Sequence, residues 1–169
     1  YSPPEPYKTR FADHPYDGEV AYVDAALGEL FGYLDRTGLD RSSLVLLTGD
    51  HGESLGEHGE TTHGFLASNA TLWIPLIIAR PGLAHRVVGA PVSHMDIFPT
   101  VCELLGVKIP DQVQGTSLVG AMKGGPAGTR PIYFESLTPF YSMGWAPVTG
   151  FIDGDEKFID SPVPEIYDL

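Results

Sequence analysis

From Tyr16 to Leu34 the apolar residues Val20, Val23, Leu27, Leu30, Phe31 and Leu34 recur at spacings of three and four. That is the period of a helix with one apolar face. Asp17 stands where an N-terminal cap belongs, and Thr37-Gly38 where the helix should close. Ahead of it, prolines hold Ser2 to Pro6 extended. The apolar run Leu44 to Leu47 follows turn residues and predicts a strand buried on both faces. A second strand is expected at Pro75 to Ala79, stopped by Arg80-Pro81-Gly82. A second helix should run from Met95 to Leu105, with Pro99 tolerated in its first turn and Gly106 ending it. A short helix is expected at Ser117 to Met122. Short strands follow at Pro131 to Glu135, Val148 to Ile152 and Lys157 to Ile159, the last two joined by Asp153-Gly154-Asp155. Helix, strand, strand, helix and then a run of strands predicts an α/β layer with an antiparallel appendage.

Composition narrows the partners. A chain of 169 residues with 43% hydrophobic content can bury a core. Its net charge of −12 argues against nucleic acid and against anionic membrane surfaces, which are bound by Lys and Arg. No apolar run is long enough to span a bilayer. Cys102 is the single cysteine, so neither a disulfide framework nor a CxxC metal site is available. The chain opens at YSPPEPY without an initiator Met and stops at EIYDL, and is expected to be a segment of a longer protein.

Candidate chemistry lies in TGDHGESLGEHGETTHG, Thr48 to Gly64. Asp50 and His51 stand just beyond the first predicted strand, after Thr48-Gly49, and ligand sites of open α/β sheets gather at such carboxyl ends. Neighbours on an extended backbone point to opposite sides, so both can meet one metal only if the chain turns, which Gly49 and Gly52 permit. An Asp oxygen and a His nitrogen suit a divalent cation but are too few to hold one. A bare Asp-His pair also fits an ordinary surface turn. Three His within thirteen residues shift the balance, because metal ligands need partners to fix their tautomer and orientation. Glu53, Glu57 and Glu60 read as solvated or supporting groups rather than ligands. His58 reads as support for the loop, His14 as a residue preceding a helix, His94 as a helix cap and Arg80 as one half of a salt bridge. Trp73, Tyr141 and Trp145 fit either core or pocket.

Together these segments resemble the sulfatases of the alkaline phosphatase superfamily. TGDHGESLGEHGE, His63-Gly64 and ATLWIPLIIARPG look like the family's signature, flanked by YSPPEPY and YDGEVAYVDAALGEL upstream. Downstream, VSHMDIFPTVCELLGVKIPDQVQGTSL, RPIYFES, GWAPVTGFIDGDEKFID and PEIYDL continue the likeness over nearly the whole chain. The resemblance implies part of an alkaline-phosphatase-like α/β sandwich with a small antiparallel C-terminal subdomain. Residues 1–125 would be the C-terminal portion of the catalytic domain, and 126–169 the strand-rich subdomain. Asp50 and His51 would be metal ligands, with calcium the usual ion and manganese or zinc compatible with a nitrogen donor. His63 stands where many members place a sulfate-contacting Lys, so the resemblance makes it a catalytic, substrate-binding residue. The family's formylglycine nucleophile arises from a C/S-x-P-x-R motif. No such motif occurs here, and Cys102 in PTVCELLGV reads as a core thiol. The expected substrate is a small-molecule or glycan sulfate ester. A phosphodiester or phosphonate ester hydrolase or phosphoglycerol transferase of the same superfamily is the nearest rival. A non-catalytic binding module with the same fold is the rival from another class.

Overall fold

The computed structural model describes residues 1–128 and 130–169. They form two units, one of Tyr1–Leu47 with Ile77–Leu83, the other of Thr48–Leu76 with Ala84–Leu169.

The first unit carries α1 (Tyr7–Arg10), α2 (Pro15–Thr37) and all but one residue each, Thr48 and Leu76, of the strand pair β1 (Val45–Thr48) and β2 (Leu76–Ala79). Helix α2 starts earlier than its apolar period indicates. Pro15 enters at its first position and His14 occupies the cap without a side-chain bond. Asp17, expected as the cap, lies inside the first turn, where a carboxylate complements the helix dipole. Gly38 closes the helix in the left-handed region at φ 71°. Pro3 seats against Gly18 so closely that a Cβ there would lie 2.8 Å from the proline ring.

One expectation of burial, that of β1, fails in this unit. Val20, Val23, Leu30 and Phe31 of the α2 stripe are exposed, and Val45, Leu46 and Leu47 of β1 are half-buried rather than buried. Two four-residue strands supply too little sheet among the described residues to cover a 23-residue helix or both faces of β1.

In the second unit a long loop leads to α3 (Asn69–Leu72), and a tight turn at His94–Asp96 leads into α4 (Ile97–Leu105). Next come α5 (Val119–Met122), β3 (Ile132–Ser136), α6 (Thr138–Met143), β4 (Val148–Asp153), β5 (Glu156–Asp160) and β6 (Glu165–Asp168). Strands β3-β4-β5-β6 form an antiparallel meander in chain order, with Phe134 opposite Gly150 and Lys157 opposite both Ile152 and Tyr167. Gly154, at φ 60°, begins the two-residue hairpin between β4 and β5. Gly150 leaves room for the Phe134 ring, since a Cβ there would meet it at 2.5 Å. Ala67, Phe134 and Ile152 form the core, packed by Leu72, Ile132, Val148, Ile159 and Leu169. Ala67 thus anchors the end of the long loop to the sheet. Cys102 is buried in α4, as expected of a core thiol.

Strand β6 and helix α6 are absent from the sequence expectations. Every residue of β6 is exposed, so no alternation marks it, and α6 is too short to develop a period. The architecture is α/β, with the antiparallel sheet confined to the C-terminal part. Among the described residues, no helix is long and apolar enough to cross a membrane.

Candidate functional site

Asp50 and His51 occupy a bend immediately after β1. The bend is present, but neither Gly49 nor Gly52 takes a left-handed conformation to make it. Gly52 is there for space. Its N–H donates to the Thr71 carbonyl at 2.8 Å, and a Cβ would lie 2.0 Å from the Ala70 carbonyl oxygen. The bend is thereby pressed against α3. On its other flank, His94 Nε2 donates to the Gly49 carbonyl oxygen at 2.8 Å.

The two imidazole tautomers follow from their partners. His51 Nδ1 lies 2.9 Å from the Gly52 carbonyl oxygen, which only accepts, so Nδ1 carries the proton. In the neutral ring the lone pair is then on Nε2, 3.6 Å from Asp50 Oδ2. Asp50 Oδ1 accepts the His51 backbone N–H at 3.0 Å. That hydrogen bond is the main cause that holds the Asp50 carboxyl below its ordinary value of 3.8, so it is an anion at neutral pH. Its side chain is 90% exposed and that of His51 46%. One nitrogen lone pair and one carboxylate oxygen therefore stand side by side, open to solvent.

His63 stacks on His51, with ring centroids 3.9 Å apart and planes inclined by 30°. Its Nδ1 donates to the Glu53 carboxylate, 3.2 Å from each oxygen, and the Glu53 side chain is only 9% exposed. A carboxylate accepts only, so the His63 Nε2 edge points away from Glu53 and is left for another partner.

The remaining loop carboxylates organise backbone. Glu57 accepts from the Leu55 N–H at 2.6 Å and the Ser54 hydroxyl at 3.1 Å, and its backbone hydrogen bonds keep its carboxyl below the ordinary value. Glu60 is buried and accepts the N–H groups of Phe65 and Leu66 at 2.9 and 3.3 Å. Ser54 N–H donates to the Thr62 carbonyl at 3.2 Å and closes the loop on itself. His58 takes the left-handed region, at φ 55°, between Gly56 and Gly59. The Gly64 carbonyl accepts from Ser136 Oγ at 2.6 Å, tying the residue after His63 to the end of β3. Trp73, Tyr141 and Trp145 are all exposed.

A divalent cation fits the chemistry of Asp50 and His51: one hard oxygen, one imidazole lone pair, and a backbone carbonyl fixing the tautomer. Among the described residues, however, no group of three or more His, Cys, Asp or Glu side chains could hold a metal ion by itself. The pair offers two donor atoms, the Asp50 carboxylate and the His51 Nε2 lone pair.

Sequence reasoning missed two features of this site. The cap of the His94–Asp96 turn is Ser93, so His94 is free to reach across 45 residues to Gly49, and no local pattern encodes such a contact. Lys157 lies on β5 where strand alternation leaves its facing open. It is only 5% exposed, donating from Nζ to the Ala67 carbonyl at 3.1 Å and Asn69 Oδ1 at 2.8 Å. It secures the residues that lead into α3.

Comparison with known proteins gives a consistent result. The family model described as Sulfatase matches residues 2–107. The choline-sulfatase of Rhizobium meliloti (strain 1021) is 32% identical over 148 residues, covering 85% of this chain and 28% of that protein. The phosphonate monoester hydrolase of Agrobacterium radiobacter superposes with a TM-score of 0.75 at 28% identity, covering 91% of this chain and 34% of that one. BT4656, solved in complex with its substrate D-glucosamine-2-N,6-O-disulfate, gives 0.72 at 28% identity over 89% of this chain and 32% of that one. The chain thus spans 28% to 34% of the length of these proteins.

Proposed function

The chain belongs to the sulfatase family, and from that premise we propose that it supplies part of the metal and sulfate site of a sulfuric ester hydrolase. Asp50 and His51 hold a divalent cation, calcium by family resemblance. Manganese or zinc also suits the nitrogen donor. His63 contacts the sulfate group. The observation that carries this reading is the His51 tautomer, which presents the Nε2 lone pair 3.6 Å from Asp50 Oδ2.

When bound, the cation supplies Lewis-acid polarisation of the sulfate oxygens. This chain's residues do the rest of the work assigned to them. The Gly52 carbonyl keeps the His51 lone pair outward, and Glu53 holds His63 by Nδ1 so that Nε2 is the edge offered to the ester. A protonated Nε2 donates a charge-assisted hydrogen bond to a sulfate or leaving-group oxygen. The nucleophile is the formylglycine of the family. It must come from outside these residues, because the sequence holds no C/S-x-P-x-R motif and Cys102 is buried in a helix. Alone, the chain is expected to turn over nothing.

Residues 1–125 make up the C-terminal portion of the catalytic domain and 126–169 the strand-rich subdomain, a division supported by the confinement of β3 to β6 to the latter. The substrate is a small-molecule or glycan sulfate ester. That choice is supported by the relatives named for choline sulfate hydrolysis and solved with a glucosamine disulfate. A second reading, hydrolysis of a phosphonate ester, is favoured by the likeness to the phosphonate monoester hydrolase.

The test is made in the full-length enzyme. Turnover of 4-nitrophenyl sulfate and of a phenylphosphonate ester is measured with bound metal for the wild type, Asp50→Ala and His51→Ala. We expect sulfate turnover to dominate in the wild type. Each variant should lose turnover by on the order of 10³-fold together with its metal. Unchanged turnover with stoichiometric metal in either variant would sink the ligand assignment, and dominant phosphonate turnover would favour the second reading.

A further inference from the structure

We propose that His94 is a positioning residue of the metal-binding turn, acting through the carbonyl of Gly49. The inference rests on the reading of Asp50 and His51 as ligands and adds a residue to it.

The contact is local to the ligand pair. Gly49 immediately precedes Asp50, and its carbonyl belongs to the peptide plane that sets the start of the bend. His94 Nε2 donates to that carbonyl at 2.8 Å. The Gly52 N–H bond to Thr71 restrains the opposite end of the bend at 2.8 Å. With both ends tied, Asp50 and His51 have little freedom to rotate away from each other. Without the His94 bond, the Gly49 end is released. The Thr48 hydroxyl also donates to that carbonyl, at 3.2 Å, but it belongs to the adjacent residue and moves with the bend.

The donor stands on a rigid footing. Asp96 is buried, and its carboxylate accepts the Ser93 N–H at 2.9 Å, the Thr116 N–H at 2.8 Å and an Arg130 guanidinium nitrogen at 2.6 Å. These bonds lock the turn that carries His94. Gly115 lies so near that a Cβ would fall 1.8 Å from the Met95 carbonyl oxygen. The turn therefore cannot drift, and the reach of His94 to Gly49 is set by a framework separate from the loop it braces. The bond needs only a hydrogen on Nε2, so a neutral donor of similar reach should replace the imidazole. The amide nitrogen of Gln extends about as far from the backbone as Nε2 does.

The experiment compares wild type, His94→Leu and His94→Gln in the full-length enzyme. It reads calcium affinity by calorimetry, kcat and KM on 4-nitrophenyl sulfate, and the His94 ring tautomer by nitrogen-15 NMR. We expect His94→Leu to weaken calcium binding and lower kcat by about 10-fold or more, the scale seen when a partner of a metal ligand is removed. KM at saturating calcium should change little. His94→Gln should recover most of both losses, and wild-type His94 should show its proton on Nε2. Wild-type calcium affinity and kcat in His94→Leu would overturn the proposal. So would a Gln variant no better than Leu, which would indicate packing alone, or a His94 proton on Nδ1 only. A wild-type enzyme that binds no divalent cation would instead overturn the ligand reading on which this one stands.

Discussion

The loop from Asp50 to Leu66 and the sheet from Ile132 to Asp168 are held together in opposite ways. In the sheet, order is collective: four strands share a register, and each backbone bond is one of many alike. In the loop, order comes from individual side chains, with Glu53, Glu57 and Glu60 and the hydroxyl of Ser54 each satisfying a different group. A ladder tolerates the loss of one member. A set of singular contacts does not, but it can place side chains such as His51 and His63 in a stacked geometry that a pleated strand would not provide. Mutations in the loop should therefore register mainly in turnover, and mutations in the sheet mainly in stability.

The sharpest break between the two should come at His63. His63→Ala in the full-length enzyme is expected to cut turnover by about 10²- to 10⁴-fold, the range for a positioned proton donor, with metal content and unfolding midpoint near wild type. Loss of the metal instead would make His63 a ligand and change its role.

Two glycines put the comparison on equal chemistry, since each faces a backbone carbonyl that a Cβ would strike. At Gly52 the contact would be 2.0 Å with Ala70, and at Gly150 2.2 Å with Phe158. Gly52→Ala must shift the bend that carries Asp50 and His51 and should cost about 10²-fold in turnover, as expected for a displacement near 1 Å. Gly150→Ala must shift β4 against β5 and should cost about 1–3 kcal/mol by urea unfolding, with kcat much less affected. Equal effects of both variants on turnover would erase the distinction between the regions.

An effect on stability of the same size as that at Gly150 is expected at Lys157, the residue that joins the loop's end to the sheet. Lys157→Leu leaves the Ala67 carbonyl and the Asn69 side chain without their donor, at a cost of about 1–3 kcal/mol. Burial lowers the Lys157 pKa below its ordinary 10.5, so between the lowered value and 10.5 the unfolded chain binds more protons than the folded one. Stability conferred by this residue therefore rises with pH through that window. The stability difference between wild type and variant, followed by unfolding at increasing pH, should show this rise. A flat difference would mean that the Lys157 amine is not desolvated in solution.

Much of this organisation is legible in the residues themselves. Helix α4 and strands β3 to β5 lie within a few residues of the expected ranges, because apolar periodicity and glycine or proline punctuation are local signals. Asp50, His51 and His63 were found by density and resemblance rather than by periodicity. The structure brings all three together, with Glu53 behind His63. The burial of β1 was misjudged for a different reason. Periodicity reports which face of an element is apolar, not whether anything among these residues covers it.

By itself the sequence determined the types of those elements that carry an apolar period or run, the acidic balance and the presence of an Asp-His pair beyond a strand, since each depends on residues a few positions apart. Only the tertiary structure decided what those residues can do. The facing of the His51 lone pair and the grip of Glu53 on His63 depend on how the loop folds back on itself. The donation from His94 to Gly49 and the burial of Lys157 beneath the loop's end join residues 45 and 90 positions apart. Such contacts are set by how the chain packs, and nothing in the local spacing of charges or apolar groups encodes them.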